Sequence, residues 1–338
     1  MEIIKLSKEY EKEYDEFVLN HPKALFYYQL RYRDLLKDVL ECEDEYYILI
    51  DKDKIRAILP ILSKSGKFGK VYNLLPHYGS NGSILAESEE YYNLLLEKYN
   101  DLIKSVAAST YIENPLDMHP KKADCDYKVP RICQFSIFED SVDMSDLSKL
   151  FTSNKRRNIR RAIKGGVSVS IDNSKEAKEF LFKTHIENMQ AINGAAKSKE
   201  LFEGFYKRYE SDRDYNIFVA YKDKKAVAAL LVFYFNGVTE YYTPVILEEF
   251  RVEQPLALII YEAMKYSVER GLLLWNWGAN GGGSDGVYRF KKSWGAVDYL
   301  YDYYIKVNNK DILYSNPKEL LQEYPNFFVI PFDRLKER

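Results

Sequence analysis

Hydrophobic and polar residues alternate along this chain in two patterns, one typical of strands and the other of helices. In the second half, Val167–Ile171 alternates like a short strand, and the apolar runs Tyr215–Tyr221 and Ala226–Phe235 predict two longer ones. An Asn-Gly pair follows the last run and is a strong signal for a tight hairpin turn. Ser174 and Ser198 are each predicted to cap the start of a helix, and the first of these helices, Ser174–Ala191, has apolar residues at helical spacing.

The same pattern continues over the rest of this half and then over the first half. The other elements predicted in the second half are helices over Ser198–Ser211, Arg251–Arg270 and Asp285–Trp294, and strands over Val238–Thr243, Leu272–Trp275 and Val297–Val307. In the first half, strands are predicted over Glu2–Leu6, Glu45–Ile50, Ile55–Ser63, Val71–Leu75, Thr110–Glu113 and Ile132–Phe138, helices over Lys8–Leu19, Gln29–Leu40 and Ser88–Ala107, and an irregular polar stretch over Asn114–Pro130. Both halves follow the order β-α-α-β-β-β-α-β.

The repeated order predicts two tandem copies of one mixed α/β unit. Each copy is expected to be a mostly antiparallel mixed sheet flanked by helices, with domains at residues 1–140 and 141–338. A chain of 338 residues is long enough for two cores of ordinary size, which agrees with this division.

Composition and charge narrow the classes of function. The formal net charge is −2, so any contact with nucleic acid or phosphate must come from a local basic patch. Three cysteines without a CxxC pair favour reduced thiols over disulfides or a zinc site. The chain opens with charged residues, and no apolar run reaches about 18 residues, so we expect neither a signal peptide nor a membrane-spanning helix. The prediction is a cytoplasmic protein, with peripheral membrane contact left open.

A Gly-rich loop near the C-terminus is the first candidate site. The predicted strand Leu272–Trp275 is followed by a polar, Gly-rich stretch over Asn276–Gly286 and then by Lys291 and Lys292. Ligands often bind where a strand ends in such a loop. Asn276 lies between two tryptophans that alternation places on the core face, so its side chain points the other way, towards a ligand. The alternative is a flexible turn followed by two solvated lysines.

A basic stretch between the halves is the second candidate. Its cations are Lys155, Arg156, Arg157, Arg160, Arg161 and Lys164. Arg156 and Arg160 form a like-charged i,i+4 pair, which destabilises an isolated helix, so an anionic partner such as a diphosphate or a tRNA backbone explains the crowding. We expect these two arginines to face a binding cleft. The alternative is a solvated helix face offset by the acidic residues Glu139, Asp140, Asp143 and Asp146.

A third polar, Gly-rich stretch, residues 75–83, follows a predicted strand in the first half. Its candidate substrate-binding residues are His77, Tyr78 and Asn81, and a long surface turn is the alternative. Motifs for other chemistries are missing from the sequence. The spacing of Gly66–Lys70 is wrong for a P-loop, no GxGxxG follows a strand, and the four histidines are scattered. No metal and no redox cofactor are therefore predicted.

The element order resembles the GNAT acyltransferase fold. Two tandem copies resemble the Fem aminoacyltransferases and their BioF2-like acetyltransferase relatives. The basic stretch Ser153–Val167 is similar to the Arg-rich helix that opens the second Fem unit, and Tyr288–Gly295 is similar to the Phe-Lys segment of that family. The resemblance implies an N-acyltransferase that adds an aminoacyl or acyl group to an amine of a peptidoglycan or polysaccharide precursor. It also implies that Lys291 stabilises the oxyanion of the reaction, and that Tyr288 lies beside the substrate.

Two departures from the family pattern bear on the acyl donor. A GNAT enzyme that uses CoA has glycines at the start of the helix after the fourth strand, but here Gln254 and Leu256 occupy those positions and Pro255 removes an N–H. Acetyl-CoA is therefore a poor fit, and aminoacyl-tRNA or a carrier-bound acyl group is expected instead. The stretch Val167–Lys310 leaves no room for the coiled-coil arm of many peptidoglycan-bridge enzymes.

The expected partners are a diphosphate-linked sugar or peptide precursor and tRNA, and no cofactor is expected apart from the acyl donor. Two alternatives remain. One is a CoA-dependent GNAT N-acetyltransferase with an unusual pyrophosphate site. The other is a non-catalytic tRNA- or glycan-binding protein that kept the fold.

Overall fold

A computed structural model describes residues 1–75, 82–117, 122–138, 147–280 and 286–336. The strands are β1 (Glu2–Lys5), β2 (Glu43–Asp44), β3 (Tyr47–Asp51), β4 (Lys54–Leu59), β5 (Ile61–Gly66), β6 (Gly69–Leu74), β7 (Leu85–Ala86), β8 (Ala108–Ile112), β9 (Tyr127–Ile137), β10 (Ser168–Ile171), β11 (Tyr215–Lys222), β12 (Lys225–Phe235), β13 (Val238–Ile246), β14 (Leu274–Asn280) and β15 (Val297–Val307). The helices are α1 (Glu11–Asn20), α2 (Leu30–Leu40), α3 (Glu89–Leu102), α4 (Ser153–Lys164), α5 (Lys175–Ala191), α6 (Lys199–Arg208), α7 (Pro255–Glu269), α8 (Gly286–Lys292) and α9 (Pro317–Glu323).

The chain divides into two compact units, but not at residue 140 as the sequence suggested. Unit one contains Met1–Arg131 together with Leu300–Arg338, and unit two contains Ile132–Tyr299. The C-terminal segment groups with unit one because β15 pairs with β8 there. Farther along, the N–H of Phe328 donates to the Asn73 side chain, and the Asn73 amide donates to the Phe328 carbonyl. These pairings are long-range, so the local sequence pattern does not contain them.

In unit one, neighbouring strands pair in the orders β1-β3-β4-β7 and β15-β8-β6-β5-β2. The pairs are antiparallel except for β6 with β8. The single strand predicted over Ile55–Ser63 is wrong, because β4 and β5 belong to different sheets. Pro60 lies between them, and proline has no N–H with which to continue a strand ladder. The predicted start of α3 is confirmed, and the Ser88 hydroxyl caps the helix there by accepting the N–H of Tyr91 at 3.3 Å.

In unit two, the strands pair in the order β10-β11-β12-β13-β14-β9, and only β13 with β14 is parallel. The Asn-Gly hairpin turn is confirmed, since Asn236 and Gly237 have φ of 48° and 74°, as a tight two-residue turn requires. The predicted caps of α5 and α6 are also confirmed: Ser174 accepts the N–H of Ala177, and Ser198 accepts the N–H of Leu201.

Several boundaries differ from the sequence prediction, among them those of α7, β9 and β14. Helix α7 begins at Pro255 rather than near residue 251, because Gln254 has φ of 62° and the preceding residues form a 3-10 helix. Strand β9 begins at Tyr127, inside the stretch expected to be irregular. Strand β14 runs to Asn280 instead of ending at residue 275, because its last residues pair with β9. A single backbone angle therefore decides the start of α7, and a tertiary contact decides the end of β14.

The core of unit two contains a layer of aromatic rings on the α7 side of the sheet. Trp275 and Trp277 share this face, as alternation predicted, with ring centroids 5.7 Å apart. Tyr241 of β13 and Trp294 pack against Trp277 at 4.9 and 6.3 Å. Across the described residues, no helix combines the length and the apolar character that a membrane span needs.

Candidate functional site

The two parallel strands of unit two part from each other halfway along. Strands β13 and β14 pair only through residues 238–240 and 274–276, although β13 continues to Ile246 and β14 to Asn280 within the described chain. We call the space past Glu240 and Asn276 the β13–β14 opening. Backbone groups along parted strands need other hydrogen-bond partners, so such an opening suits a ligand.

A buried polar network begins at the last paired residues. The Asn276 amide donates to Glu240 Oε1 at 3.1 Å, and the Asn276 Oδ1 accepts the N–H of Gly278 at 2.8 Å. The Gly278 carbonyl in turn accepts Lys291 Nζ at 3.1 Å, and the Ala279 carbonyl accepts the same ammonium at 3.2 Å. The network thus connects Glu240, on β13, to Lys291, on α8.

Gly278 gives this network its shape. Its φ is 73°, a conformation that strains a residue with a Cβ, and the β14–β9 register shifts between Asn276 and Ala279. With this local distortion, the N–H of Gly278 reaches Asn276 while its carbonyl reaches Lys291. We therefore expect the glycine at this position to be needed for the position of the lysine.

The charges of Glu240 and Lys291 both affect the pKa of the buried Cys133 thiol. Burial raises the pKa of the Cys133 thiol far above its usual range, the charge of Glu240 raises it further, and the charge of Lys291 lowers it. The thiol donates to Asn276 Oδ1 at 3.4 Å. Cys133 therefore stays protonated and is not a nucleophile, while Glu240 and Lys291 both act on the same buried volume.

The neighbouring lysines on α8 have different surroundings. Lys291 is 5% exposed and belongs to the buried network, whereas the Lys292 side chain is 40% exposed and lies 3.5 Å from Asp298 Oδ1. Tyr288, predicted to bind substrate, donates its hydroxyl to Asp298 Oδ2 at 2.7 Å. Gln134 also donates to Asp298, at 2.9 Å. Asp298 thus fixes α8 from the surface side, with Lys291 on the inner side.

Arg156 has a role that the sequence did not predict. Its guanidinium donates to the backbone carbonyls of Ser148, at 3.3 Å, and Phe151. The side chain is half-buried and holds the segment before α4, whereas Arg160 is exposed. That both arginines face a cleft stays a prediction, and for Arg156 the structure adds a second role, because its Nη1 bonds to these backbone carbonyls.

Lys155 is a residue that sequence reasoning missed. Its ammonium lies 4.2 Å from the centroid of the Phe290 ring and 5.4 Å from that of Trp294, and burial lowers its pKa. The N–H of Thr152 donates to the Ser293 carbonyl at 3.0 Å, so two contacts join the start of α4 to α8. No sequence signal separates Lys155 from its basic neighbours, because the fold alone brings it to the aromatic rings.

The remaining cations of α4 form its outer surface. These residues are Arg157, Arg160, Arg161 and Lys164, all exposed. Within the described part of the chain, no carboxylate pairs with them, and the acidic segment 139–146 lies outside that part. We call these four residues the α4 basic face.

In unit one, the predicted residues His77, Tyr78 and Asn81 lie outside the described residues. Unit one does contain an open cavity of about 610 Å³ beside Phe17 and His21. The charged residues that line it are Glu13, Glu16, Lys23, Asp53, Lys54 and Glu87. Carboxylates outnumber lysines around it, so this cavity does not have the charge that a diphosphate requires.

The first turn of α7 lacks a glycine-lined cradle. Gln254 has φ of 62° and its side chain donates to the Arg251 carbonyl at 2.8 Å, and Pro255 opens the helix. A proline at this position removes one N–H that a pyrophosphate would otherwise accept. Weak binding of acetyl-CoA remains a prediction.

Comparisons with known proteins give one family and several structures. Residues 151–292, inside unit two, match the family model described as the acetyltransferase (GNAT) domain. The crystal structure of FemX aligns with a TM-score of 0.71 and 15% identity over 92% of this chain and 98% of that one. Comparison with curated protein sequences gives no match.

Two further structures have the same architecture. One is the C-terminal domain of a putative lysylphosphatidylglycerol synthetase from Agrobacterium fabrum, with a TM-score of 0.57 and 11% identity over 95% of this chain and 98% of that one. The other is a tandem GNAT protein from the clavulanic acid biosynthesis pathway, with a TM-score of 0.53 and 10% identity over 90% and 98%. At such identities the likeness concerns the fold, and it confirms the predicted mixed α/β, tandem GNAT-like architecture.

Proposed function

We propose that this chain, an acyltransferase whose residues 151–292 form a GNAT domain, transfers an aminoacyl or acyl group to an amine of a cell-envelope precursor. The observation that carries the proposal is the buried Lys291, held by backbone carbonyls beside the β13–β14 opening. The likeness of the whole chain to FemX supports the same class of reaction.

Lys291 suits the stabilisation of an oxyanion. Attack of an amine on an ester or thioester carbonyl gives a tetrahedral intermediate with negative charge on oxygen. A cation already fixed at that point contributes a few kcal/mol, because it need not reorganise during the reaction. The carbonyls of Gly278 and Ala279 fix the Lys291 ammonium, and burial keeps water from weakening its field.

Asn276 and Glu240 act as positioning residues in this proposal. The Asn276 side chain bonds to Glu240 and to the N–H of Gly278, so it is occupied inside the protein. In place of the ligand contact expected from the sequence, we therefore assign Asn276 a different role, in which it orients Gly278 and thereby Lys291. Glu240 anchors Asn276 and adds a negative charge near the lysine.

The α4 basic face supports an anionic substrate. Exposed arginines and lysines without a protein carboxylate bind phosphate well, and Arg does so through paired N–H donors. We assign this face to the diphosphate of a sugar- or peptide-linked precursor, or to the backbone of a tRNA that carries the donor. A peptidoglycan or polysaccharide precursor and an aminoacyl-tRNA or carrier-bound donor fit this arrangement.

A CoA-dependent acetyl transfer is the second candidate. The family model, whose members are described as acetyltransferases, favours it. The start of α7 argues against it, because Gln254 and Pro255 stand where a pyrophosphate would need a glycine-lined helix N-terminus.

Ligand-induced stabilisation distinguishes these candidates. All three tryptophans lie between residues 275 and 294, so their fluorescence follows the unfolding of unit two. Acetyl-CoA, charged tRNA and a nucleotide-diphosphate sugar are added separately to the wild type. A ligand at a hundred times its Kd should stabilise by roughly 2.7 kcal/mol.

We expect stabilisation by charged tRNA or the diphosphate sugar, and a smaller effect with a variant in which Arg160 and Arg161 are alanine. Stabilisation by acetyl-CoA alone favours the second candidate. Binding of tRNA or of the diphosphate sugar without transfer of an acyl group would indicate a non-catalytic binding protein.

A further inference from the structure

The loop between α5 and α6 places Lys197 against strand β13. Its ammonium donates to the Tyr242 carbonyl at 3.4 Å and lies 4.9 Å from the centroid of the Tyr242 ring. The residue is half-buried, although most lysines of this chain lie at the surface. Neither the sequence patterns nor the Lys291 network account for this lysine.

The backbone of Lys197 is held as firmly as its side chain. Its N–H donates to His185 Nε2, on α5, at 2.9 Å. The next residue, Ser198, caps α6 by accepting the N–H of Leu201. The His185 ring packs on Phe202 at 5.7 Å. The position of Lys197 is therefore built into unit two.

Lys197 lies on the same face of β13 as Glu240, just past the end of its pairing with β14. Glu240 is opposite Phe233 on β12, and the Tyr242 ring is 5.1 Å from the Phe233 ring, so both residues share that face. The β12–β13 register shifts at Tyr242, which has no partner in the ladder. Since β14 pairs with β13 only as far as Glu240, the Lys197 ammonium contacts a residue of β13 that lies past this pairing.

The surroundings of Lys197 favour a neutral amine. His185 from α5 and Tyr242 from β13 both contact this residue, and the apolar Phe205 of α6 lies beside Tyr242, with ring centroids 5.2 Å apart. Burial lowers the pKa of Lys197 to about 8. Burial, and then the charge of Lys197, lower the pKa of His185 to about 4, so this imidazole is neutral when the lysine titrates.

We propose that Lys197 accepts the proton of the acceptor ammonium before acyl transfer, at the side of the β13–β14 opening formed by the α5–α6 loop. This inference rests on the proposed acyl-transfer function. An acceptor enters as R–NH₃⁺ and gives one proton to the neutral Lys197 amine, which becomes an ammonium. The freed lone pair forms the C–N bond, the bond from the acyl carbon to the donor oxygen breaks, and the departing oxygen takes the second proton from the nitrogen. Lys197 then returns its proton to water.

Two substitutions separate proton transfer from structural support. Lys197→Arg keeps a cation that can donate to the Tyr242 carbonyl, but a guanidinium does not deprotonate in this range. Lys197→Met keeps the apolar stem and removes the amine. Lys199→Met is the matched control, because the Lys199 side chain is 64% exposed and pairs with Glu203 on the surface of α6. Tryptophan fluorescence checks that each variant is folded.

The first measurement is the pH dependence of kcat/KM for transfer from aminoacyl-tRNA to a nucleotide-linked precursor. The wild type and Lys199→Met should lose activity about tenfold per pH unit below about 8. In both Lys197 variants this limb should move from about pH 8 to the pKa of the acceptor amine itself, and both should be at least about a hundredfold slower at pH 8, the scale of a missing general base. Retention of the wild-type limb in Lys197→Arg would overturn the proposal.

The second measurement needs no acyl-transfer activity. The wild type is treated with trace acetic anhydride at a series of pH values, and labelling at each lysine is read by peptide mass spectrometry. Lys197 should reach half-maximal labelling near pH 8, against about 10.4 for an ordinary lysine. A midpoint near 10.4 overturns the proposal even in an active enzyme. A midpoint near 8 in an enzyme that transfers no acyl group refutes the proposed function instead, and the proton-transfer role with it.

Discussion

Replacing Asn276 with alanine should destabilise unit two far more than the removal of a small side chain suggests. The change removes the hydrogen bond to the Glu240 carboxylate and the acceptor for the N–H of Gly278. A bond to a charged group is worth about 1.5–3 kcal/mol and a neutral one about 1 kcal/mol. Because Glu240 is buried and cannot turn to water, we expect the full loss of about 2.5–4 kcal/mol in the free energy of unfolding.

Urea unfolding followed by tryptophan fluorescence measures this loss, since every tryptophan lies in unit two. The control is Asn154→Ala, because Asn154 is exposed and its Oδ1 accepts a long, exposed hydrogen bond of 3.4 Å from Arg157. This change should cost within about 0.5 kcal/mol. Equal effects of the two substitutions would refute the network.

A double-mutant cycle tests which bond carries the effect. If Asn276→Ala is costly because it leaves the Glu240 charge without its amide, then Glu240→Gln should relieve part of that cost. We expect the effects of Asn276→Ala and Glu240→Gln to be non-additive by at least about 1 kcal/mol. Additive effects would mean that the two side chains do not depend on each other.

Three further predictions follow from the surroundings of single residues. Arg156→Ala should lower the free energy of unfolding of unit two by about 1–3 kcal/mol, because its guanidinium bonds to two backbone carbonyls. Arg160→Ala should change this stability little, and should reduce the slope of tRNA affinity against salt concentration by about 1. A larger loss of stability in Arg160→Ala than in Arg156→Ala would contradict these roles. Gly278→Ala should lower turnover at least tenfold by straining a residue with φ of 73°, and unchanged turnover would show that Lys291 does not depend on this turn. The pKa of His185 is about 4 in the folded state, below the usual 6.5, so its contribution to stability is complete above pH 6.5 and is lost as pH falls through 4. The midpoint of unfolding should therefore decrease less steeply with falling pH in His185→Gln than in the wild type. Identical slopes in the two proteins would contradict this prediction.

The sequence predicted the elements that depend on local signals. Serine caps and an Asn-Gly turn act within a few residues, so the starts of α3, α5 and α6 and the β12–β13 hairpin agree with the structure. Strand β15 was predicted with its observed bounds, since its aromatic pattern is continuous. Where pairing with a distant strand decides the boundary, as at the end of β14, the local pattern was misleading.

The residues of the candidate site also divide into those that local sequence could identify and those that only the tertiary fold reveals. Lys291 could be singled out because it follows a Gly-rich loop and belongs to a segment similar to the Fem family. Glu240, Lys155 and Lys197 could not, because each is one charged residue in an unremarkable local sequence, and only the tertiary fold brings it to Asn276, Phe290 or Tyr242. The sequence did not predict the bonds of the Asn276 side chain to Glu240 and Gly278, since alternation gives the direction of a side chain and not its partner.

The most direct test of the account is the single-turnover rate of amino-acid transfer from charged tRNA to a nucleotide-linked cell-envelope precursor, measured for the wild type, Lys291→Ala and Lys292→Ala. Lys291→Ala should be slower by a factor of about a hundred to a thousand with little change in substrate binding, because its charge acts mainly in the transition state. Lys292→Ala, which loses only a half-exposed ion pair, should stay within a few-fold of the wild type. A slow Lys292→Ala beside a normal Lys291→Ala, or no loss in either, would contradict the account.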